Sequence, residues 1–487
     1  MSFSRFYKKV KSTNNVSINN FVSEIPFEFK TGMLEYIDPL KTFMSIRLVI
    51  GINNTAAAAD YTSTAVTCLR PIPCSTANVG DFIPYLSKNP LCGLCNTGRL
   101  SVNDKTISNL NDIASTNTLI RSVFDSQIME NTINGTNPIY PQGIEDRIIK
   151  AVGNGQNIGG AYDDAPIIYT GRSACAYKCM GPFKYNIENT LNMSLPFPLF
   201  STYNADGIPP DTSVKFYFNV DSNCPTNIVQ FTQGVNSTAH PLSIVGLNST
   251  TIPAYSIGVG VSDMTLYLCI TNKENPVNES RLLNVRQIWS QIHTITSPND
   301  SFPLYAPSKN VKYILAAFLQ ATRTGPGLSP ADFSDGYVAS PDGATSATIN
   351  TNFAVSALQY VRFNYQSENY PKDDYNITNT NTNILCGLTN SSMELYRLMS
   401  EVISNSDSRN DRCGSIYDIS KMAVEPIYCH KVSTKPNSTD GVMIISLSLN
   451  PAYVASKSAL LVVCLYDEIL KLDYNGAGQV IFTDLIS

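Results

Sequence analysis

The stretch Met264-Thr265-Leu266-Tyr267-Leu268-Cys269-Ile270 places the larger apolar side chains at every second position. Alternation with a period of two puts one set of side chains on one face of a sheet, as in a half-buried β-strand. The same pattern recurs at Met44–Ile52, Val214–Val220 and Met443–Leu449. These segments are rich in Val, Ile, Tyr, Phe and Thr, which favour strands. The long segments between them are rich in Asn, Thr, Gly and Pro, so we predict an all-β protein with long loops.

The predicted elements follow the same order in two halves of the chain. Each half has a strand, a second strand with a hydrophobic-to-Asn step, a short helix and two alternating strands. In the first half they lie at about 42–52, 100–103, 117–129, 213–220 and 264–270, and in the second at about 310–320, 360–364, 392–404, 442–449 and 459–465. A conserved order with almost no remaining identity predicts a duplicated domain. A chance match is the alternative, because all-β chains offer many strands to align.

Both predicted helices are short and amphipathic. The first has Ser115 or Thr116 near its start, and the second begins with a capping-box pattern in which Ser391 precedes Glu394 by three residues. Each has one apolar stripe at helical spacing, formed by Leu119, Ile120, Val123, Phe124 and Ile128 in the first helix and by Leu395, Leu398, Met399 and Val402 in the second. We expect each helix to lie across the end of a β-sandwich.

The composition of the 487 residues excludes several classes of protein. Charged residues make up 15% of the chain, against about 25% in ordinary soluble domains, whereas hydrophobic residues make up 43%. This balance argues against disorder, coiled coils and helical repeats. The net charge of −5 gives no general sign of a nucleic-acid-binding surface. No apolar run is long enough for a signal peptide or a membrane span, so we expect the chain to stay on the cytosolic side.

These observations predict two tandem jelly-roll β-sandwiches, with one short helix in a connection of each. We place the first jelly roll at residues 25–275, a polar linker at 276–308 and the second jelly roll at 309–487. Residues 1–24 are expected to form a flexible basic arm, since its first dozen residues include Arg5, Lys8, Lys9 and Lys11 and no acidic residue.

Patterns that would indicate catalysis are few. The three histidines, His240, His293 and His430, fall in no H-E-x-x-H or similar arrangement. His430 follows Cys429, but neighbours on a strand point to opposite faces, so we favour burial in a loop over a nucleophilic pair. The glycine-rich segment 153–160 lacks both the P-loop ending and the dinucleotide-binding spacing, and it is expected to be a flexible loop. We therefore predict no enzyme activity, no catalytic residue and no cofactor.

Two close cysteine pairs, Cys92-x2-Cys95 and Cys175-x3-Cys179, could supply four thiolates to a structural zinc ion. The stretch between the pairs is far longer than in ordinary zinc modules, so we predict no metal site. Other cysteines lie in apolar strand-like runs and are expected to be small core residues, as at Cys269 and Cys464.

Two further polar patterns lie in predicted loops or recur along the chain. Two acidic pairs could hold calcium but lack EF-hand spacing, at Asp163-Asp164 and Asp373-Asp374. Acceptor patterns for N-glycosylation are expected by chance in a chain so rich in Asn, Ser and Thr, and they occur at Asn134, Asn192, Asn236, Asn248 and Asn437.

A set of segments in fixed order carries a resemblance to one known family. In the first half they are Tyr36–Phe43, Leu100–Asn103 with Ile107–Asn109, and Met193–Phe200 followed by Ile208-Pro209 and the strand at 214–220. In the second half they are Val311–Gln320, Val361–Tyr370 with Pro371, Ile416–Ser420, and Met443–Leu449 followed by Leu460–Leu472 as a closing hairpin. Over roughly residues 25–485, this set resembles the double jelly-roll major capsid proteins of DNA viruses, and within them those of virophages and Polinton-like viruses.

The resemblance implies a structural protein of the virion, assembled in the host cytoplasm or nucleus. Three copies would form a homotrimer, a near-hexagonal capsomer of six jelly rolls that tiles an icosahedral shell. The implied partners are neighbouring capsomers and minor capsid or penton proteins, with no sequence-specific nucleic acid. The basic arm, with Phe3, Phe6 and Tyr7 among its cations, would suit an internal membrane, a minor protein or a neighbouring capsomer; a frayed terminus is the alternative.

Two other functions stay open at this point. The chain could be a minor or vertex capsid protein, which copy number per particle would distinguish from a major one. It could also be a carbohydrate-binding β-sandwich, since sandwich folds host many functions. Sugar sites usually present exposed aromatic residues, whereas Trp289, the one tryptophan, is expected in a structural segment between the two sandwiches, at 285–295.

Overall fold

The computed structural model describes residues 5–14, 24–54, 82–86, 93–124, 186–201, 207–220, 229–233, 255–272, 281–306, 311–320, 358–371, 396–402, 427–432, 442–449, 458–474 and 480–486. In the first half the strands are β1 (Arg5–Lys11), β2 (Glu24–Lys30), β3 (Glu35–Asn54), β4 (Phe82–Leu86), β5 (Cys95–Val102), β6 (Lys105–Leu110), β7 (Asn186–Ser194), β8 (Ser213–Val220), β9 (Val229–Gln233) and β10 (Tyr255–Asn272). In the second half they are β11 (Arg281–Thr294), β12 (Asn299–Tyr305), β13 (Val311–Gln320), β14 (Leu358–Tyr365), β15 (Glu368–Tyr370), β16 (Ile427–Lys431), β17 (Val442–Leu449), β18 (Ser458–Tyr474) and β19 (Val480–Ile486). The helices include α1 (Ile113–Phe124), the single turn α2 (Pro198–Ser201) and α3, the helical residues 396–402, and residues 93–94 are helical as well. None of these helices is long and apolar enough to span a bilayer.

Four antiparallel sheets of the same design account for most of the strands. We call them sheet 1A (β1-β10-β3-β7), sheet 1B (β2-β8-β5-β6), sheet 2A (β11-β18-β13-β16, with β19 beside β18) and sheet 2B (β12-β17-β14-β15). The order of sheet 1A is repeated in sheet 2A and that of sheet 1B in sheet 2B, strand for strand. Each half contains an eight-stranded jelly roll made of two facing sheets, and β19 adds a ninth strand to the second half. β4 and β9 pair separately as a two-stranded ribbon.

The duplicated order predicted from the sequence is confirmed by this topology. The strands that we paired from their patterns occupy equivalent places: β3 with β13, β5 with β14, β8 with β17 and β10 with β18. The two longer helices are equivalent too, since α1 lies between β6 and β7 and α3 between β15 and β16. The fold class, two tandem jelly rolls, is therefore as predicted.

The predicted linker is wrong for the part of it that the structure describes. β11 pairs with β18 along its whole length, and β12 pairs with β17, so both belong to the second jelly roll. Trp289 accordingly lies on β11 and packs against the second core, not between the sandwiches. The expected flexible arm at 1–24 is wrong for residues 5–11, because Arg5–Lys11 forms β1 at the edge of sheet 1A, paired with β10. Residues 1–4 and 15–23 of that arm lie outside the described residues. β1 escaped prediction because it is almost wholly exposed and shows no buried alternation.

The predicted closing hairpin also does not form. β17 lies in sheet 2B beside β14, whereas β18 lies in sheet 2A beside β13 and β11. Consecutive strands of a jelly roll cross between its two sheets, so neighbours in sequence need not pair. The Ile416–Ser420 turn lies outside the described residues.

The first core confirms the alternation read from the sequence. Val214, Phe216 and Phe218 on β8 are completely buried, while the intervening Lys215 and Tyr217 point outward. Phe216 stacks on Phe27 of the neighbouring β2 at a centroid distance of 5.0 Å. Offset aromatic pairs of this kind add to the stabilisation from burial itself.

The second core differs because the central strands of sheet 2A are buried on both faces. On β16, His430 lies 5.5 Å from the ring of Phe363 on β14, so the face that carries His430 points into the sandwich. The opposite, outer face of sheet 2A is nevertheless buried as well, at Tyr313, Leu315, Ala317, Leu461, Val463 and Leu465. A strand that is buried on both faces has a continuous apolar sequence, as β18 has.

α1 lies between the two sandwiches and not across the end of one, which corrects our expectation. At its start, Ile113 packs over Gly98 of β5 in the first jelly roll. Further along, Leu119 and Val123 are completely buried in the core cluster of the second jelly roll. Ser115 and Thr116 lie inside the helix, which begins two residues before Ser115. The expected stripe residues Ile128 and Leu395 lie outside the described residues.

Candidate assembly surfaces

The described cysteines and His430 are buried, whereas His293 is partly exposed. Cys429 and His430 lie on strand β16, not in a loop, and they point to opposite faces as expected. Burial raises the pKa of the Cys429 thiol and lowers the pKa of His430 to about 4, which favours the neutral form of each. His293 stacks on Phe302 at 3.5 Å and lies 3.3 Å from a carboxylate oxygen of Asp300.

Cys95, Cys269, Cys429 and Cys464 are buried free thiols, which confirms that cysteines in strand-like runs serve as core residues. Among the described residues, no three His, Cys, Asp or Glu side chains are placed to hold a metal ion. Several candidates lie outside the described residues or have undescribed side chains, and the predictions made for them stay predictions: Cys92, Cys175, Cys179, His240, residues 153–160, the acidic pairs at 163–164 and 373–374, and Asn134, Asn192, Asn236, Asn248 and Asn437.

The outer face of sheet 1B is covered by a network of ion pairs. The Lys215 ammonium lies 3.2 Å from a carboxylate oxygen of Glu28 on β2 and 2.8 Å from one of Asp104. Hydrogen bonds to these two carboxylates raise the pKa of Lys215. Arg99 lies over the ring of Tyr217 at 4.9 Å. Because burying such charges would cost desolvation energy, this face is suited to remain in contact with water.

The described outward side chains of the equivalent sheet 2B are almost all uncharged. Tyr305 and Ile444 are 72% and 45% exposed, and Ser301 and Ser446 share a hydrogen bond of 3.2 Å. Arg362 is the charged residue among the described outward side chains of this face. Interface cores are depleted in charge and enriched in aromatic residues, so the 2B face fits burial against another protein better than the 1B face does.

The outer face of sheet 1A carries a row of aromatic rings bordered by cations. Tyr7 meets Phe43 at a centroid distance of 5.7 Å, and Phe43 stacks on Tyr267 at 5.0 Å. The Lys9 ammonium lies 5.4 Å from the centre of the Tyr267 ring, a cation–π contact. The row crosses three strands, β1, β3 and β10, and half of Tyr7 is exposed. We call this surface the 1A aromatic row.

The equivalent outer face of sheet 2A is covered by the helix of the first jelly roll. α1 contacts β13 and β18, and Phe124 meets Tyr313 with 5.7 Å between ring centroids. α3 occupies the equivalent position in the second jelly roll, but unlike α1 it has one side exposed to solvent. Its Met399 and Val402 are buried, while Arg397 and Glu401 project to solvent as an ion pair of 3.5 Å.

Comparison with known proteins rests on structure, because no family model and no curated protein matches the sequence. The chain is similar to one in the 3.5 Å cryo-EM structure of the Sputnik virophage, with 13% identity, a TM-score of 0.59 and coverage of 99% of this chain and 89% of that one. This similarity confirms the fold over nearly the whole length.

Two weaker structural matches have TM-scores below 0.5. PBCV-1 VP54, in a crystal structure fitted into a reconstruction of the virophage Sputnik, has 10% identity, a TM-score of 0.48 and coverage of 99% of this chain and 98% of that one. The Faustovirus major capsid protein has 11% identity, a TM-score of 0.43 and coverage of 96% of this chain and 90% of that one. They add no argument beyond the similarity to the Sputnik chain.

Proposed function

We propose that this protein is a major capsid protein that forms trimeric, pseudo-hexagonal capsomers and tiles an icosahedral virus shell. The observation that carries the proposal is the duplicated jelly roll itself. Both halves repeat the same eight-strand order, and the whole chain shares its fold with a chain from a virophage particle. Two similar lobes per chain become six around the axis of a closed trimer, which is the shape needed to tile a surface.

The exposed apolar side chains support an assembling protein over a monomeric one. Large apolar side chains that reach solvent are found in both jelly rolls: Phe6, Tyr7, Met33, Leu34, Leu282, Tyr305, Ile444 and Ile469. Exposed apolar side chains that share one face commonly mark an interaction site, whereas single scattered ones are ordinary. The 2B face is the clearest case, since Arg362 is the one charged residue among its described outward side chains and burial of the face would cost little desolvation energy.

The remaining parts of the proposal concern partners and place. Neighbouring capsomers and minor capsid or penton proteins are the proposed partners, and the virion is the proposed location, with assembly in the host cytoplasm or nucleus. Contact between the N-terminal segment and an internal membrane stays a prediction. Part of this N-terminal segment is a strand, since Arg5–Lys11 forms β1. Deletion of residues 1–4 would therefore test the terminus without removing that strand.

The carbohydrate-binding alternative gains no support from the tryptophan. Trp289 is partly buried against the second core, where it cannot offer a flat exposed platform to a sugar. A minor or vertex capsid role is compatible with the same fold, and quantitative protein analysis of purified particles would separate it by copy number.

Light scattering coupled to size-exclusion chromatography tests the proposal. We expect a mass of three times the 53.3 kDa of one chain. A protein that stays monomeric at all concentrations tested would refute the proposed capsomer.

A further inference from the structure

Short connections between strands gather at one end of each jelly roll. In the first, β2 leads into β3 through residues 31–34, and β5 turns into β6 at Asn103-Asp104. In the second, β12 leads into β13 through residues 306–310, and β14 turns into β15 at Gln366-Ser367. The much longer connections from β3 to β5, from β6 to β7 and from β13 to β14 leave the opposite end. We call the end with the short connections the short-turn end.

The short-turn ends of both jelly rolls lie on the same side of the chain. β10 finishes there, because Asn272 pairs with Glu35 at the start of β3. β11 begins there, because Arg281 pairs with Leu472 near the end of β18. Residues 273–280 join these two strand ends. The helical turn α2, in the connection from β7 to β8, contacts β11 as well as β3.

Apolar side chains are exposed selectively at this end. All the large apolar side chains that are exposed among the described residues lie near it: Phe6, Tyr7, Met33, Leu34, Leu282, Tyr305, Ile444 and Ile469. Tyr305 and Ile444 belong to the 2B face. In the others the most exposed are Met33, at 78%, and Leu282, at 62%. Leu282 lies on β11 and Ile469 is its diagonal neighbour on β18.

The turn that carries Met33 and Leu34 is held in place by hydrogen bonds. The backbone N–H of Glu35 donates to the backbone oxygen of Gly32 at 3.2 Å, and the N–H of Gly32 donates to a carboxylate oxygen of Glu35 at 2.9 Å. The buried hydroxyl of Thr31 donates to the backbone oxygen of Pro209 at 3.1 Å. An ordered turn thus presents two apolar side chains to solvent, where they add nothing to the core of the sandwich.

The cations around this turn are matched by acids of the same chain. The Lys30 ammonium lies 2.6 Å from a carboxylate oxygen of Asp211, and the Lys8 ammonium lies 3.3 Å from one of Glu35. A surface on which charges are paired in this way has little electrostatic preference for an anionic or a cationic partner. Its contacts are therefore determined mainly by the exposed apolar side chains.

We infer that the short-turn end binds a lipid bilayer, with Met33 and Leu34 inserted among the headgroups and the upper parts of the acyl chains. The exposed apolar side chains are spread over the ends of two sandwiches, since Leu282 and Ile469 belong to sheet 2A. A folded protein partner would need a separate matching pocket for each site. A bilayer is broad and fluid, and it accepts separate apolar side chains without matching their shape.

This contact goes beyond the proposed capsid function, because a single chain already carries the surface. It involves the turn between β2 and β3 and the end of sheet 2A, not the residues that precede β1. In a trimer whose axis runs along the strands, the three short-turn ends would lie on one side. Three simultaneous contacts would strengthen binding well beyond that of one chain.

Vesicle flotation with the full-length protein tests the inference. We expect the wild type to float with neutral phosphatidylcholine vesicles and to do so in high salt as well, because salt does not screen apolar insertion. Met33→Asp should lower the partition constant at least tenfold. Asn219→Asp adds the same charge at the opposite end of β8, at an exposed position, and should bind as the wild type does. Both variants should keep the wild-type thermal midpoint.

Quenching by brominated lipids gives a second, independent measurement. A tryptophan placed by Met33→Trp should lose fluorescence when the vesicles contain brominated phosphatidylcholine. The control Asn219→Trp should not, and Trp289 contributes the same background to both variants.

The outcomes separate this inference from the proposed function. A trimer that does not float, or that floats equally well after Met33→Asp, overturns the inference and leaves the capsid proposal standing. Binding that needs anionic lipids and disappears in high salt assigns the contact to cations and also overturns the inference. A protein that floats through Met33 but stays monomeric supports the lipid contact and refutes the capsomer.

Discussion

The ring centroid of Phe124 lies 5.7 Å from that of Tyr313, and this contact joins the two jelly rolls. Phe124 ends the helix of the first sandwich, whereas Tyr313 lies on a central strand of the second. Nearby, the Gln287 side-chain amide donates a buried hydrogen bond of 2.8 Å to the backbone oxygen of Ile107. Because apolar and polar contacts both cross the boundary, we expect the two jelly rolls to unfold as one unit.

Truncation of the helix residue at the centre of this boundary should weaken both halves. Leu119 is completely buried, so Leu119→Ala should lower the free energy of unfolding by about 2–5 kcal/mol through lost burial and the cavity left behind. Leu34→Ala, at a side chain that is 44% exposed, should cost within about 0.5 kcal/mol. Urea unfolding followed by circular dichroism measures both. Two separate transitions in the wild type would contradict a shared core.

Adjacent aromatic residues on β8 should differ sharply in their contributions. Phe216 is fully buried and contacts Phe27 and Phe197, so Phe216→Ala should cost about 3–5 kcal/mol. Tyr217 points outward under Arg99, so Tyr217→Ala should cost no more than about 1 kcal/mol, the value of an exposed cation–π pair. Thermal and urea unfolding give both values, and similar losses for the two variants would disprove the assigned register of β8.

His430 should make the protein less stable in mild acid. Its ring is buried, and its Nε2 has no hydrogen-bond partner among the described residues. Burial lowers the folded-state pKa to about 4 from the ordinary 6.5. The unfolded chain then binds the proton more readily, so stability is complete above pH 6.5 and falls as the pH drops towards 4. At about 1.4 kcal/mol per pH unit, the loss across this window is about 3 kcal/mol.

The His430→Met variant isolates that effect because it fills a similar volume without a titratable group. The free energy of unfolding is measured at several pH values between 4 and 7. The variant should lose the His430 part of the pH dependence, while His293→Met, at a partly exposed histidine, should retain it. An unchanged pH profile in His430→Met would show that this histidine is protonated as easily in the folded as in the unfolded chain.

Gly207 should resist replacement by any larger residue. Its φ of +73° lies in the left-handed region, and a Cβ there would collide with the backbone oxygen of Ile37. The next residue, Ile208, exchanges two backbone hydrogen bonds with Ile37, at 2.8 and 3.1 Å, which hold the two segments together. Gly207→Ala should therefore cost about 1–3 kcal/mol.

Gly32→Ala is the matched control for this position. The three atoms nearest to a Cβ at Gly32 all belong to the side chain of Glu35, which can shift more easily than the backbone, so the thermal midpoint should change little. If the two glycine variants melt at the same temperature, the close approach of residue 207 to Ile37 is incorrect.

The strands that could be predicted from the sequence are those with one buried face and one solvent-exposed face. β8 and β17 show clean alternation, and their predicted bounds agree with the structure within a residue. β1 and β11 could not be found in this way. β1 is exposed on both faces, and on β11 the apolar residues Val285, Ile288, Trp289 and Ile292 follow no period of two, because both of its faces are partly covered.

The sheet against which each helix packs could also not be predicted from the sequence. The apolar stripe of α1 predicted that Leu119 and Val123 would be buried. It did not predict which sheet would pack against them. The contrast between the charged 1B face and the nearly uncharged 2B face could have been predicted from the sequence. The outward positions of β8 include Lys215, whereas those of β17 include Ser446 and Ser448, and comparison of the aligned repeats would have exposed the difference.

The central claim is that three copies of this chain place six similar jelly rolls around one axis. Electron microscopy of the purified protein, with class averages viewed down the symmetry axis, measures this directly. We predict a near-hexagonal outline of six similar lobes with true threefold symmetry. Single particles of one chain with two lobes, or a ring with any other number of lobes, would contradict the account.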